Sequence, residues 1–254
     1  MKIISLQSGS NGNCIYVEAG SVKLLFDAGI SGIRAQQRLA AHGRDIRDAD
    51  AVVVSHDHLD HSKCMGIYQR KFALPVHVSA RTFSAAKSRC SLGEISDIRY
   101  FEAGTVLAFG RVSVETIPTP HDSVDGVAFV VDDGRRRLGI LTDLGHVFAG
   151  LDAVIGSLDA VILESNYDPQ MLNDGPYPEF LKERIRGRGG HISNVEAAGL
   201  LAPAAKRLAW ACLAHLSEEN NNPGLAMRTH REILGKRFPI HIATRYGATG
   251  VLEL

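Results

Sequence analysis

Three histidines and two aspartates lie in the six residues from His56 to His61, directly after the apolar run at positions 51–54. Neutral imidazole and carboxylate oxygen are the ligands that borderline and hard divalent cations prefer, and no packing role requires so many polar groups at a strand end. In the spacing His-x-His-x-Asp-His, His58 can point with His56 to one side while Asp60 and His61 turn to another. The segment predicts a site for two metal ions about 3.5–4 Å apart. A chance histidine cluster on a solvated loop is the alternative.

Three further residues of metal-binding types each follow a predicted strand, and they are His121, Asp143 and His215. Taken singly, each is explained equally well as a capping or turn residue. If the strands belong to adjacent sheets, however, their ends can converge at one edge together with the end that carries His56. These side chains would then complete two coordination spheres.

The sequence that must position these residues alternates short β-branched runs, which predict strands, with amphipathic stretches, which predict helices. Strands are predicted at residues 3–6, 15–18, 23–26, 51–54, 76–78, 106–109, 112–117, 127–131, 138–141, 160–163, 209–213 and 240–243. Helices are predicted at residues 34–41, 81–89, 147–155, 177–185, 194–201 and 224–234, with Ser193 and Glu196 as a capping box. No segment is long or biased enough to be a linker. Residues 1–254 are therefore expected to form one α/β domain, a four-layer αββα sandwich of two mixed β-sheets flanked by helices.

The composition is that of an enzyme with a large core. The chain has 254 residues, and 45% of them are hydrophobic. Its 28 basic residues balance its 28 acidic residues, so the net charge favours neither nucleic acid nor a membrane as partner. Any basic surface must be local. The cysteines form no Cys-x-x-Cys pair and are expected to be reduced thiols; they are Cys14, Cys64, Cys90 and Cys212. Because no leader and no apolar window of about 18 residues is found, a cytoplasmic protein is expected.

The pattern from Ser55 to His215 resembles that of the metallo-β-lactamase superfamily, which has the αββα fold. The resemblance implies that His56, His58 and His121 bind one metal, that Asp60, His61 and His215 bind the other, and that Asp143 bridges them. Residues 25–29 are similar to the family's strand that ends in Asp-x-Gly. This similarity implies that Asp27 orients a metal ligand.

Within the superfamily, three segments resemble the bacterial WalJ-like group, at residues 8–13, 190–194 and 214–221. That group is regarded as nuclease-related. The resemblance therefore implies a phosphodiester substrate, such as DNA or RNA. It narrows the candidate reactions without fixing one.

A mechanism follows from the chemistry of such a site. Coordination to divalent cations lowers the pKa of water to about 7, so a metal-bridging hydroxide is the expected nucleophile. The cations would neutralise charge that develops on a phosphoryl or carbonyl oxygen. Protonation of the leaving group is assigned to His191 paired with Glu164, an arrangement similar to transfer-RNA-processing RNase Z. Asp60 is counted with them as catalytic as well as a metal ligand. A strand-end salt bridge for Glu164 and a place beside a helix N-cap for His191 are the alternatives.

Arg184, Arg186 and Arg188 lie just upstream of His191, and arginine forks suit phosphate. The glycine-rich segment that ends at Asn13 could likewise present polar groups to an anion. The alternatives are a solvated basic helix end, which the helix dipole favours, and a tight hairpin turn. Aromatic content is only 6%, so no stacking platform for a single strand is indicated.

A dinuclear phosphodiesterase or nuclease is the favoured function. The alternatives are a hydrolase of a carbonyl substrate, such as a lactone or thioester, and a phosphodiesterase for a small cyclic or nucleotide diester. A non-enzymatic metal-binding protein is disfavoured because the ligand set is complete. Zinc is the expected metal, with manganese or iron as alternatives. The sequence leaves DNA versus RNA, the direction of digestion and the oligomeric state open.

Overall fold

The computed structural model describes residues 1–254 and contains fourteen strands. In chain order they are β1 (Lys2–Gln7), β2 (Cys14–Ala19), β3 (Val22–Phe26), β4 (Ala51–Val53), β5 (Val76–Ser79), β6 (Ile98–Phe101), β7 (Val106–Phe109), β8 (Val112–Pro118), β9 (Val127–Asp132), β10 (Arg137–Leu141), β11 (Ala160–Glu164), β12 (Trp210–Ala214), β13 (Ile240–Ile242) and β14 (Leu252–Glu253). They form two seven-stranded sheets, in the orders β14-β1-β2-β3-β4-β5-β6 and β13-β12-β11-β10-β9-β8-β7.

Nine α-helices cover these sheets. They are α1 (Gly32–Ala40), α2 (Leu59–Ser62), α3 (Met65–Phe72), α4 (Ala80–Arg89), α5 (Leu151–Gly156), α6 (Pro169–Asp174), α7 (Glu179–Arg186), α8 (Asn194–Leu201) and α9 (Pro223–Leu234). The predicted capping box of α8 is confirmed, because the Ser193 side chain accepts from the Glu196 N–H and the Glu196 carboxylate accepts from the Ser193 N–H. None of the helices is long and apolar enough to span a membrane.

Both sheets are mixed, as predicted. In each, one half is antiparallel, β14 to β3 in the first sheet and β7 to β10 in the second. The other half is parallel, β3 to β6 in the first sheet and β10 to β13 in the second. The carboxyl ends of parallel strands lie along one edge, which is where polar side chains for a site gather in α/β proteins.

Successive side chains of each strand point to opposite faces of the sheet, and the buried apolar ones form three layers. Ile3 of β1 joins a core of 23 buried residues between the sheets, where the rings of Phe26 and Phe129 lie 5.0 Å apart. Its neighbour Ile4 faces the other way, into a core under α1 and α3. A third core lies between the second sheet and the helices α5 and α8. This order of layers confirms the four-layer αββα sandwich, whereas the assignment of the chain to one domain stays a prediction.

Several elements differ from the prediction. The helix predicted from residue 147 begins only at Leu151, because Gly150 before it has φ of 90° and lies in the left-handed region. Similarly, α7 begins at Glu179 after Pro178, not at residue 177. The structure also contains α2, α3, α6, β6 and β14, none of which the sequence patterns predict. The last two are edge strands of the first sheet, and only one residue of each is buried, so neither shows a clear apolar pattern.

Candidate metal centre and catalytic cleft

The structure brings the seven predicted metal-binding side chains together at one edge of the two sheets. His56 and His58 lie in the loop after β4, and the next short helix, α2, carries Asp60 and His61. The other three lie in the loops that follow strands of the second sheet; they are His121 after β8, Asp143 after β10 and His215 after β12. Parallel pairing of β10, β11 and β12 sets two of these loops on the same side.

The donor atoms form overlapping groups whose members lie within 4.8 Å of one another. Three of these groups are His56 with His58 and His121, His56 with His61 and Asp143, and Asp60 with His61 and His215. The two carboxylate oxygens of Asp143 face different neighbours. One oxygen lies 3.3 Å from His61 Nε2 and the other lies 3.7 Å from His121 Nε2. Asp143 therefore lies between the two histidine groups that the bridging hypothesis assigns to different metals.

Two of the donor atoms have no hydrogen-bond partner in the protein and are suited to bind a cation. His56 Nε2 and Asp143 Oδ2 are buried and have no hydrogen-bond partner. A buried polar atom without a partner is costly unless something else binds it. The ring of His121 is oriented by its Nδ1, which donates to the Gly190 carbonyl at 2.9 Å, so that Nε2 is the acceptor nitrogen and lies 3.3 Å from His58 Nδ1. Imidazole and carboxylate donors of this kind fit zinc, manganese or iron.

Asp27 holds His61 and the loop before it in place. Its Oδ2 lies 2.7 Å from His61 Nδ1, and its Oδ1 accepts from the Ser55 N–H at 2.8 Å. The carboxylate is nearly buried at 5% exposure. A carboxylate on the second ring nitrogen fixes the orientation and tautomer of a metal-binding histidine. The geometry is the one expected for the orienting role assigned to Asp27.

The charges of the cluster attract cations. Burial opposes ionisation of Asp60 and Asp143, but the neighbouring imidazoles hold the pKa of both carboxyls below its ordinary value. Burial disfavours the protonated form of His215, yet Asp143 and the other nearby carboxylates raise its pKa to about 10. By contrast, burial and adjacent histidines lower the pKa of His56 well below its usual range. The carboxylates thus stay ionised inside the protein, where only protons or metal ions can balance them.

Three residues of the site have a left-handed backbone conformation. Asp27, Asp143 and His215 have φ values of 66°, 56° and 53°. Positive φ is uncommon outside glycine, although Asp and His tolerate it better than most residues. Such conformations cost about 1–3 kcal/mol and persist only where the surrounding structure enforces them. Here each residue follows the end of a strand, and Asp143 and His215 line the cleft whereas Asp27 contacts His61 and Ser55.

His191 and Glu164 form the predicted pair. His191 Nδ1 lies 2.6 Å from Glu164 Oε1, and the His191 side chain is 19% exposed, whereas Glu164 is fully buried. Burial opposes ionisation of Glu164, but His191 and His215 lower its pKa well below the ordinary value. These two residues also form a fourth donor group with Asp143 and His215. His191 is therefore placed both for proton transfer and for a rival role as a ligand.

A cavity of about 410 Å³ opens onto this cluster, and His58, Asp143, His191 and His215 line it. Among the predicted substrate residues, Arg184 lines the cavity and donates from Nε to Asp122 at 2.6 Å.

The other predicted substrate residues lie elsewhere. Arg186 pairs with Glu179 of its own helix, and neither Arg186 nor Arg188 lines the cavity. Asn13 is 3% exposed, and its amide donates to Asp60 Oδ2 at 3.2 Å and lies 2.9 Å from His61 Nε2, so it contacts the candidate ligands themselves. Contact of these three residues with substrate stays a prediction.

Sequence reasoning missed three polar residues of the cleft. Asp57 is a variable position of the histidine motif, but it is fully buried and accepts from Arg89 Nε at 2.6 Å. Arg89 and Asp122 both line the cavity. Arg89 lies 32 residues from Asp57, and Arg184 lies 62 from Asp122, so no local spacing could have revealed either pair.

Comparison with known proteins agrees with this geometry. A sequence model of the family described as "Beta-lactamase superfamily domain" matches residues 23–215. Exodeoxyribonuclease YycJ of Bacillus anthracis is 35% identical in an alignment of 246 residues that covers 93% of this chain and 92% of that protein. Exodeoxyribonuclease WalJ of Streptococcus pneumoniae is 34% identical in an alignment of 229 residues that covers 88% of this chain and 84% of that protein.

Among solved structures, the metallo-β-lactamase fold protein YhfI from Bacillus subtilis superposes with a TM-score of 0.72. The alignment covers 98% of each chain at 14% sequence identity. At this identity the likeness concerns the fold alone, and it agrees with the two mixed sheets described above.

Proposed function

The chain belongs to the metallo-β-lactamase superfamily, whose model matches it from β3 to the last predicted metal ligand, and we propose that it is a dinuclear metal-dependent exodeoxyribonuclease. Support comes from two relatives of about 35% identity that carry the name exodeoxyribonuclease and align with most of the chain. The site supports the same class of reaction, because its donors suit two cations and a histidine lies beside them for proton transfer.

In this proposal, His56, His58 and His121 would hold one cation, Asp60, His61 and His215 would hold the other, and Asp143 would be shared between them. Zinc is the proposed metal, because imidazole and carboxylate ligands are its usual partners. A metal centre held by these residues would supply an activated water molecule as nucleophile and positive charge to offset that on the phosphoryl oxygens. Asp27 keeps the proton of His61 on Nδ1, so that Nε2 faces the cleft as an acceptor.

His191 is the proposed acid for the leaving oxygen. Its Nδ1 contacts Glu164, so a proton on that nitrogen is held by the buried carboxylate and Nε2 is the atom available to the leaving group. An ionised Glu164 also stabilises the charged imidazolium before transfer. The alkoxide that leaves a DNA strand needs this proton, because a sugar oxygen is a poor leaving group.

The single observation that carries the proposal is that the seven candidate metal-binding side chains and the His191–Glu164 pair meet at one cavity. Seven donors from four loops and one short helix meet there, and the His191–Glu164 pair lies next to them, with His191 Nδ1 3.8 Å from Asp143. A metal site with a purely structural role needs no proton donor and no open cavity. A hydrolytic site needs both.

The test is a substrate panel with controlled metal content. The purified protein is stripped with a chelator and then reloaded with zinc or manganese. It is assayed on single- and double-stranded DNA labelled at the 5′ or 3′ end, on matching RNA, on bis-p-nitrophenyl phosphate and on lactones. We expect metal-dependent release of nucleotides from a DNA end. Asp143→Ala serves as the inactive control, and His42→Ala, a histidine at the end of α1 outside the cleft, serves as the matched control. Lactone hydrolysis without DNA hydrolysis would contradict the proposal.

A further inference from the structure

Two arginines on the cavity wall are held in the same unusual way. Arg89 is the last residue of α4, and Arg184 lies in the last turn of α7. Each donates from Nε to an aspartate at 2.6 Å, Arg89 to Asp57 and Arg184 to Asp122. Both arginines line the cavity that contains the metal donors.

Neither arginine uses its terminal nitrogens inside the protein. The structure shows no hydrogen bond from Nη1 or Nη2 of Arg89 or Arg184, and their side chains are 45% and 59% exposed. A guanidinium anchored through Nε is already oriented, so it loses little freedom when its two remaining amino groups bind an anion. Paired N–H donors in one plane match a phosphate group.

Asp57 is the residue that sets this arrangement. It is fully buried, and its two oxygens accept from Arg89 Nε at 2.6 Å and from the Val124 N–H at 2.8 Å. The second bond fixes the loop that also carries Asp122. A buried carboxylate is costly unless it is paired and hydrogen-bonded. One aspartate inside the metal-binding motif therefore positions an arginine from α4 and the loop on which Arg184 depends.

We propose that Arg89, positioned by Asp57, binds a backbone phosphate of the DNA strand and forms with Arg184 a two-arginine phosphate clamp at the cavity. The inference rests on the proposed nuclease function and extends it to the groups that hold the strand. It also explains how a chain with balanced charge binds a polyanion, because the contacts are local and preset.

The test measures binding, not turnover. A fluorescein-labelled phosphorothioate oligonucleotide, which resists hydrolysis, is titrated with the metal-loaded protein, and anisotropy is followed over a series of NaCl concentrations. Arg89→Gln should weaken binding about tenfold, the effect of one lost charge-assisted contact. It should also reduce the log-log salt slope by about 0.7 on single strands or 0.9 on duplexes. Arg184→Gln should do the same.

Arg81→Gln is the matched control. Arg81 lies on the same helix and pairs with an aspartate of the same loop, Asp125, at 3.6 Å, but it does not line the cavity. The clamp predicts wild-type affinity and slope for this variant. If Arg81→Gln and Arg89→Gln lose the same amount of DNA affinity, the effect comes from general surface charge and the clamp is overturned.

A double variant separates phosphate binding from a structural role. Arg89→Gln leaves Asp57 buried without its partner and can destabilise the protein, whereas Asp57→Asn/Arg89→Gln leaves no unpaired buried charge. If Arg89 only neutralises Asp57, the double variant regains wild-type DNA affinity and the inference is overturned. If Arg89 binds phosphate, the double variant folds, keeps its metal and still binds DNA about tenfold more weakly.

The wild-type protein distinguishes this inference from the function on which it rests. If it neither binds nor hydrolyses DNA, the proposed function fails and the clamp fails with it. If it binds and hydrolyses DNA but the slope is unchanged in Arg89→Gln, the clamp alone is wrong.

Discussion

Replacement of Asp27 by Asn is a sharp test of how the metal centre is built. The change keeps the shape of the side chain but removes its charge and converts one acceptor into a donor. Asn tolerates positive φ as Asp does, so the φ of 66° at this position should not by itself cause unfolding. The effect should therefore appear in metal binding rather than in the fold.

The magnitude follows from the two contacts of this carboxylate. If the oxygen of the new amide still accepts from the Ser55 N–H, its NH₂ group faces His61 Nδ1 and moves the ring proton to Nε2, where it blocks a metal. If the amide turns round, it satisfies His61 but leaves the Ser55 N–H buried against a donor, at about 1–3 kcal/mol. The first arrangement blocks metal binding at His61 directly, and the second disturbs the loop that carries His56, so we expect metal affinity to fall by about 10- to 100-fold.

The assay is a competition titration of zinc against a chromophoric chelator, with circular dichroism as a check on folding. The control is Asp125→Asn, the same substitution at another aspartate with positive φ, 60°, whose side chain pairs with Arg81. We expect the weaker binding to fall on the site that contains His61. Unchanged affinity in Asp27→Asn, or an equal loss in the control, would refute the reasoning.

The other predictions concern the bridging role of Asp143, the acid role of His191 and the core between the two sheets. Asp143→Ala should lower metal content and activity together, because its oxygens lie 3.3 Å from His61 and 3.7 Å from His121; full occupancy by elemental analysis would count against a bridging role. His191→Ala should keep the metal and slow DNA hydrolysis roughly 10²- to 10⁴-fold, with much less effect on bis-p-nitrophenyl phosphate, whose leaving group departs unprotonated. Loss of metal in that variant would make His191 a ligand. Phe129→Ala, in the core between the sheets, should lower the free energy of unfolding by about 3–5 kcal/mol in a denaturant titration. The exposed Phe180→Ala should change it by no more than about 0.5 kcal/mol, and similar values for the two would contradict the packing.

The sequence by itself was enough to predict the fold class and the set of candidate ligands. Alternating apolar residues predict strands because the side chains of a strand point to opposite faces, and this rule is local. Four of the predicted strands are followed closely by a candidate His or Asp ligand, and the dense segment from His56 to His61 needs no tertiary information to suggest a metal site. Short edge strands such as β14 escaped prediction, since a two-residue strand has no period.

Only the tertiary structure decided how the remaining polar residues of the cleft are used. Asp57 looked like a spacer, but the packing of α4 brings Arg89 onto its carboxylate. Asn13 looked available to substrate, but the fold buries its amide against Asp60 and His61. Hydrogen bonds between residues tens of positions apart depend on sheet register and on the direction in which each helix leaves its strand. Those features are set by the whole core, so no window of the sequence contains them.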